Sequence, residues 1–155
     1  MTINIPNFKN IELKNIVCDY NGTIAKDGKL LENVSHLFNK LSKDFKLYVI
    51  TADTFGSVKE ELKHLDIEVI VLKTTNHTQE KCDFVKSLDN ESCIAIGNGN
   101  NDALMLQNTA ISIAVIGFEG CATKAMLNSD IVVNNIEDAL SLLLNPNRLI
   151  ATLRK

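Results

Sequence analysis

Tryptophan is absent from this 155-residue chain, aromatic residues make up 5% of it, and prolines number two. A core without large rings has to be packed from aliphatic side chains, and a chain this long buries roughly 70% of the surface that its unfolded form exposes. No apolar run approaches the ~20 residues needed to span a bilayer, and the opening MTINIPNFKNIELKN has no basic segment followed by an uninterrupted apolar stretch. The chain therefore reads as cytoplasmic. An excess of cationic residues is missing too: 16 Lys and Arg against 19 Asp and Glu give a formal net charge of −3 and an isoelectric point near 5.6. Nucleic acid and anionic membranes attract clustered cations, so both are disfavoured as partners. The four cysteines, at 18, 82, 93 and 121, show no CxxC spacing. Cys18 and Cys93 fall inside apolar runs, where a thiol acts as a small hydrophobe, which favours free thiols over zinc or disulfides.

What is present is an alternation of short aliphatic runs with segments of helical period, the pattern of βαβ units around a parallel sheet. The fold class is α/β, a doubly wound three-layer sandwich. Strands are expected at 16–19, 47–50, 69–72, 93–96, 111–115 and 131–133, because runs apolar on both faces belong in a buried parallel sheet. Helices are expected near 31–42, 56–65, 78–88, 101–108, 121–128 and 136–144, and a last one restarts at Asn145-Pro146, a capping residue followed by the proline suited to a first turn. Ile3 and Ile5 before Pro6, with Ile11 and Leu13 after it, suggest an antiparallel edge hairpin over 1–14. Residues 145–155 form a C-terminal helix and tail. No repeat, linker or low-complexity stretch divides the chain, so one domain is expected over 1–155.

Four strand ends carry residues suited to chemistry. The strand 16–19 runs into Asp19-Tyr20-Asn21-Gly22-Thr23. Ligands of open α/β sheets bind at the carboxyl ends of strands, and a carboxylate there can attack phosphorus to form an aspartyl-phosphate. A strand-terminating Asp that merely caps the following turn is the alternative. The strand 47–50 ends at Thr51-Ala52-Asp53, where a hydroxyl and a backbone amide can hold a phosphate oxygen. Lys81 sits in the expected first turn of the helix 78–88, although cations are disfavoured at helix N-termini; either it has a task or it is a solvated surface lysine. The strand 93–96 leads into Gly97-Asn98-Gly99-Asn100-Asn101-Asp102-Ala103, which offers the oxygen ligands that Mg²⁺ prefers near a helix start.

In this order the four segments resemble the motif set of the haloacid dehalogenase superfamily, and most closely the phosphorylation domain of P-type cation pumps. Asp19-Tyr20-Asn21-Gly22-Thr23 is similar to the pumps' Asp-Lys-Thr-Gly-Thr, and Thr51-Ala52-Asp53 to Thr-Gly-Asp. Lys81 with Val85 and Leu88 is similar to their lysine-bearing helix, and Gly97-Asn98-Gly99-Asn100-Asn101-Asp102-Ala103 to Gly-Asp-Gly-Val-Asn-Asp-Ala. The stretch from Ile113 to Val132 resembles the strand, helix and Ala-Asp-Ile sequence that follow.

The resemblance implies Asp19 as nucleophile. Phosphate contacts would come from Thr51, Ala52, Lys81 and Gly22, and Mg²⁺ ligands from Asp19, Asn21, Asn98 and Asp102. Lys73 is the rival for the role of Lys81. The implied reaction is Mg²⁺-dependent phosphohydrolysis or phosphoryl transfer on a phosphorylated substrate. Two residues depart from the superfamily pattern. Asn21 stands where phosphatases carry the Asp that protonates the leaving group, and an amide cannot do so; losing such a group typically costs a factor of about 10²–10⁴. Asn98 stands where an Asp would ligate the metal. Slow turnover, or a phosphate- or nucleotide-binding regulatory module of the same fold, follows from these two residues. The intervals from the first motif to the second and from the second to the third, about thirty residues each, leave no room for a cap domain, which implies an extended substrate or a homo-oligomer that closes the site. The basic tail, with Arg148, Arg154 and Lys155, reads either as a solvated terminus or as an arm reaching a neighbouring subunit's site. His36, His64 and His77 match none of the motifs. A flavodoxin-like receiver domain is the alternative fold, and it gives no reason for the 97–103 loop.

Overall fold

In the computed structural model, which describes residues 1–53 and 56–155, the chain opens with an antiparallel pair, β1 (Thr2–Ile5) and β2 (Lys9–Glu12). β3 (Asn15–Asp19) follows, then a small hairpin of β4 (Ala25–Lys26) and β5 (Lys29–Leu30), helix α1 (Val34–Leu41), β6 (Lys46–Thr51), α2 (Ser57–Leu62) and β7 (Glu68–Val71). The second half runs through α3 (His77–Ser87), β8 (Cys93–Gly97), α4 (Ala103–Gln107), β9 (Ile111–Val115), α5 (Thr123–Leu127), β10 (Ile131–Val133), α6 (Ile136–Leu144) and α7 (Pro146–Leu153).

Among these residues, six strands form one parallel sheet in the order β10-β9-β8-β3-β6-β7. Because side chains alternate along a strand, neighbouring residues face opposite layers. Ile16 and Cys18 of β3, with Val49, Ile94, Ile96 and Ile113, pack against Phe38 and Leu41 of α1, Leu62 of α2 and Leu140 and Leu143 of α6. Val17, Ile50 and Ala95 face the other way, onto Val85 of α3, Met105 and Leu106 of α4 and Ala125 of α5. Each fully buried Leu or Ile stabilises the fold by roughly 1.5–3 kcal/mol relative to an exposed one. The result is the three-layer, doubly wound α/β sandwich that the apolar runs predict.

The chain runs outward from β3 to β6 and β7, then returns to lay β8 on the opposite side of β3. That reversal opens a crevice at the carboxyl ends of the central strands, where β3, β6 and β8 deliver Asp19, Thr51 and Asn98. Between β3 and α1 the chain forms only the β4–β5 hairpin, and among the described residues no cap domain is present. The hairpin is absent from the sequence reading. Its turn is Asp27-Gly28, with φ of 52° and 76°, the left-handed pair that a tight two-residue hairpin requires.

Some boundaries differ from those expected. α3 begins at His77 because the Asn76 side chain accepts the Gln79 amide at 3.2 Å, so Lys81 lies in the second turn rather than the first. Leu72 falls just past the end of β7. A 3₁₀ turn over Asn100–Asp102 precedes α4, where the Asp102 carboxylate accepts nearby backbone amides. At the opposite end of the strands, the Lys155 amide donates to the Pro6 carbonyl at 3.2 Å, and the Asn7 side chain donates to the Lys155 carbonyl at 3.2 Å. The basic tail is thus tied to the β1–β2 connection in its own chain, away from Asp19. The four cysteines are free thiols, and no helix among the described residues is long and apolar enough to cross a membrane.

Candidate active site

Asp19, Asn21, Thr51, Ala52, Lys81, Asn98, Gly99 and Glu119 line one cavity of about 250 Å³, together with Leu72 and Asn101. Its centre is electrostatic. Lys81 is 1% exposed, and its Nζ lies 2.5 Å from Asp19 Oδ1 and 2.6 Å from Asp102 Oδ1. An ammonium so deeply buried is tolerated only with paired charge, and two carboxylates supply it. Burial pulls the Lys81 pKa down, but Asp19 and Asp102 more than offset that, and the net direction is upward. Burial, followed by the Asp102 charge, pushes the Asp19 carboxyl up to about 7 against the pull of Lys81. Both shifts have one origin: two carboxylates and one ammonium carry a net −1, so the group as a whole holds protons tightly. Lys73, by contrast, is exposed and does not line the cavity; its backbone amide donates to Glu80 Oε1 at 2.8 Å.

Thr51 is 2% exposed at the end of β6, and its Oγ1 accepts the Asp53 amide at 3.1 Å. With an acceptor position already filled, the hydroxyl hydrogen remains available for an anion. Thr23 is also buried, and its hydroxyl links Asp19 Oδ2 (3.4 Å) to Asn98 Oδ1 (3.1 Å). Thr23 is the last residue of the Asp19-Tyr20-Asn21-Gly22-Thr23 segment, and no separate role was expected of it.

Two of the expected site residues have their polar groups engaged within the chain. Asp102 was expected among the metal ligands, but it is fully buried. Its Oδ1 is taken by Lys81, and its Oδ2 accepts the backbone amides of Asn98 (3.1 Å) and Gly99 (2.8 Å). It holds Lys81 and closes the 97–102 loop instead. Gly97 makes room for it, since a Cβ there would lie 2.6 Å from the Asp102 carboxylate. Gly22 was expected to contact phosphate, but its amide is spent on the Ala25 carbonyl at 2.9 Å and the residue is buried outside the cavity lining.

The remaining donors on the cation side are oxygens: an Asp19 carboxylate, the Asn21 main-chain carbonyl and the Asn98 carboxamide. Such a set fits Mg²⁺, which is commonly held by one or two carboxylates with waters and phosphate completing its shell. No cluster of three or more His, Cys, Asp or Glu suited to a metal exists among the described residues. Glu119, on the loop after β9, is the cavity residue that the sequence reading missed. Its one signal was position, on a glycine-flanked loop at the carboxyl end of a parallel strand.

The fold is that of haloacid dehalogenase-like phosphatases. A 3-deoxy-D-manno-octulosonate 8-phosphate phosphatase from Moraxella catarrhalis, solved with magnesium, phosphate and a KDO molecule, superposes with a TM-score of 0.71 at 18% identity. The match covers 92% of this chain and 94% of that one. A haloacid dehalogenase-like hydrolase from Streptococcus pneumoniae gives a TM-score of 0.64 at 13% identity, covering 84% and 98%. The chain belongs to the family of the uncharacterized protein MJ0073 of Methanocaldococcus jannaschii, with 59% identity over 69 residues, which are 44% of this chain and 74% of that protein. No protein-family model matches the chain.

Proposed function

We propose that the protein is a Mg²⁺-dependent phosphohydrolase or phosphotransferase that works through an aspartyl-phosphate on Asp19. The observation that carries this reading is the Lys81 ammonium, buried between Asp19 and Asp102 at the end of β3, with Thr51 lining the same cavity. The likeness of the fold to phosphatases supports it.

In the first half-reaction an Asp19 carboxylate oxygen forms a bond to phosphorus as the bond to the leaving oxygen breaks. Lys81 holds Asp19 in place and offsets the phosphoryl charge. The Thr51 hydroxyl and the Ala52 amide donate to phosphoryl oxygens. A divalent cation held by Asp19, the Asn21 carbonyl and Asn98 would supply further neutralisation of phosphate charge. Asn21 has no proton to give, so the leaving oxygen takes one from water. In the second half-reaction water attacks phosphorus, releasing phosphate and restoring Asp19. Without an acid at 21 both halves are slow, and the phosphorylated enzyme is long-lived. This fits the resemblance of the motifs to pump phosphorylation domains better than it fits a rapid phosphatase. The open site takes a phosphorylated substrate that is large or extended, or one enclosed by a second copy of the chain.

Hydrolysis of p-nitrophenyl phosphate tests the reading. Wild type should show slow, Mg²⁺-dependent turnover that vanishes in Asp19→Asn, and Asn21→Asp should raise the rate by about 10²-fold or more. Equal rates in wild type and Asp19→Asn would contradict it. Asn21-Gly22 and Asn98-Gly99 are prone to deamidation, so peptide mass analysis must show both as amides in the active sample. The neutral Asn21 and Asn98 favour a second reading, a phosphate-binding regulatory module, which binding of phosphate analogues without hydrolysis would support.

A further inference from the structure

The cation side of the site is short of negative charge. Lys81 already neutralises one of the two central carboxylates, Asp102 faces away, and residue 98 is an amide. The loop between β9 and α5 supplies what is missing. It is pinned at both ends. The amides of Ile116 and Gly117 donate to the carbonyls of Val133 (3.0 Å) and Asn134 (2.9 Å), and the Ala122 amide donates to the Asn98 carbonyl at 2.8 Å. The Asn98 side chain completes the anchor by donating through Nδ2 to the Gly120 carbonyl at 3.1 Å.

Held this way, the loop brings Glu119 onto the turn that follows Asp19. A Cβ built on Gly22 would lie 2.6 Å from both Glu119 Oε2 and Asn98 Nδ2, so the carboxylate and the carboxamide converge on the residue next to Asn21. Glu119 lines the same cavity as Asp19 and makes no hydrogen bond or ion pair among the described residues.

We propose that Glu119 is the second anionic ligand of the divalent cation, delivered by the β9–α5 loop in place of a carboxylate at 98. Asn98 and Glu119 then form a matched pair. The amide at 98 donates to Gly120, which a carboxylate cannot do, and its neutrality spares Glu119 a like charge beside it. The inference rests on the metal-dependent reading of the site, and direct cation binding separates the two. Mn²⁺ serves as a spectroscopic substitute for Mg²⁺, followed by electron paramagnetic resonance and by Mg²⁺ competition, with phosphate absent.

Glu119→Gln should weaken Mn²⁺ binding about tenfold or more, because charge count sets affinity at oxygen sites. Its urea unfolding midpoint should stay at the wild-type value, since the side chain is exposed. The double variant Asn98→Asp/Glu119→Gln should regain most of the affinity. If Glu119→Gln binds Mn²⁺ like wild type while Asp19→Asn does not, Glu119 is no ligand and the metal reading stands. If wild type itself binds no Mn²⁺ at millimolar concentration, the metal reading fails and the role of Glu119 with it.

Discussion

At the scale of single residues, the chemistry depends on the Lys81 ammonium held between Asp19 and Asp102. Raised from 3.8 to about 7, the Asp19 carboxyl contributes stability that is present in full below the unfolded value and lost as pH rises through about 7. A divalent cation binds the ionised form, so Mg²⁺ opposes that loss. The rise in Tm on adding Mg²⁺ should therefore be small at pH 5.5 and larger at pH 8, and scanning fluorimetry at the two pH values checks it. An equal rise at both would mean that Asp19 is already ionised at pH 5.5. The sequence marked Lys81 as out of place near a helix start and favoured it over Lys73 because its helix leads directly into the strand before the 97–103 loop; packing puts Lys81, and not Lys73, in the cavity. The partners of Asp102 were hidden for a related reason. A carboxylate's identity is legible in a sequence, whereas whether its oxygens are already taken is decided by burial and by the path of the 97–102 loop.

At the scale of elements, α3 is the part that positions the ammonium, and its start is set by one cap. Asn76→Ala removes the acceptor of the Gln79 amide and should cost about 1 kcal/mol in urea unfolding. A loss below a few tenths would show that the first turn of α3 is held by packing instead. The six sheet strands were legible because each is a short aliphatic run, and the four central ones, β9, β8, β3 and β6, are buried on both faces. The β4–β5 hairpin was not, since strands of two residues leave no periodicity to detect. Its Asp27-Gly28 turn was the available sign. Glu119 was hidden for another reason: it is far in sequence from Asp19 and reaches the site only because Asn98 and Asn134 fasten its loop.

At the scale of the whole molecule, the sheet order is what makes a site. The return of the chain to β8 beside β3 sets the Asp19 loop next to the 97–102 loop, while β6 brings Thr51 from the other side. The β1–β2 pair and the C-terminal residues lie at the opposite end of the strands, away from the cavity around Asp19. The most direct test of Asp19 as phosphoryl acceptor is thermal unfolding with Mg²⁺ and beryllium fluoride, which mimics a phosphorylated carboxylate. A higher Tm in wild type that disappears in Asp19→Asn is the expected result; an unchanged Tm in wild type, or the same rise in both proteins, would contradict an acceptor role for Asp19.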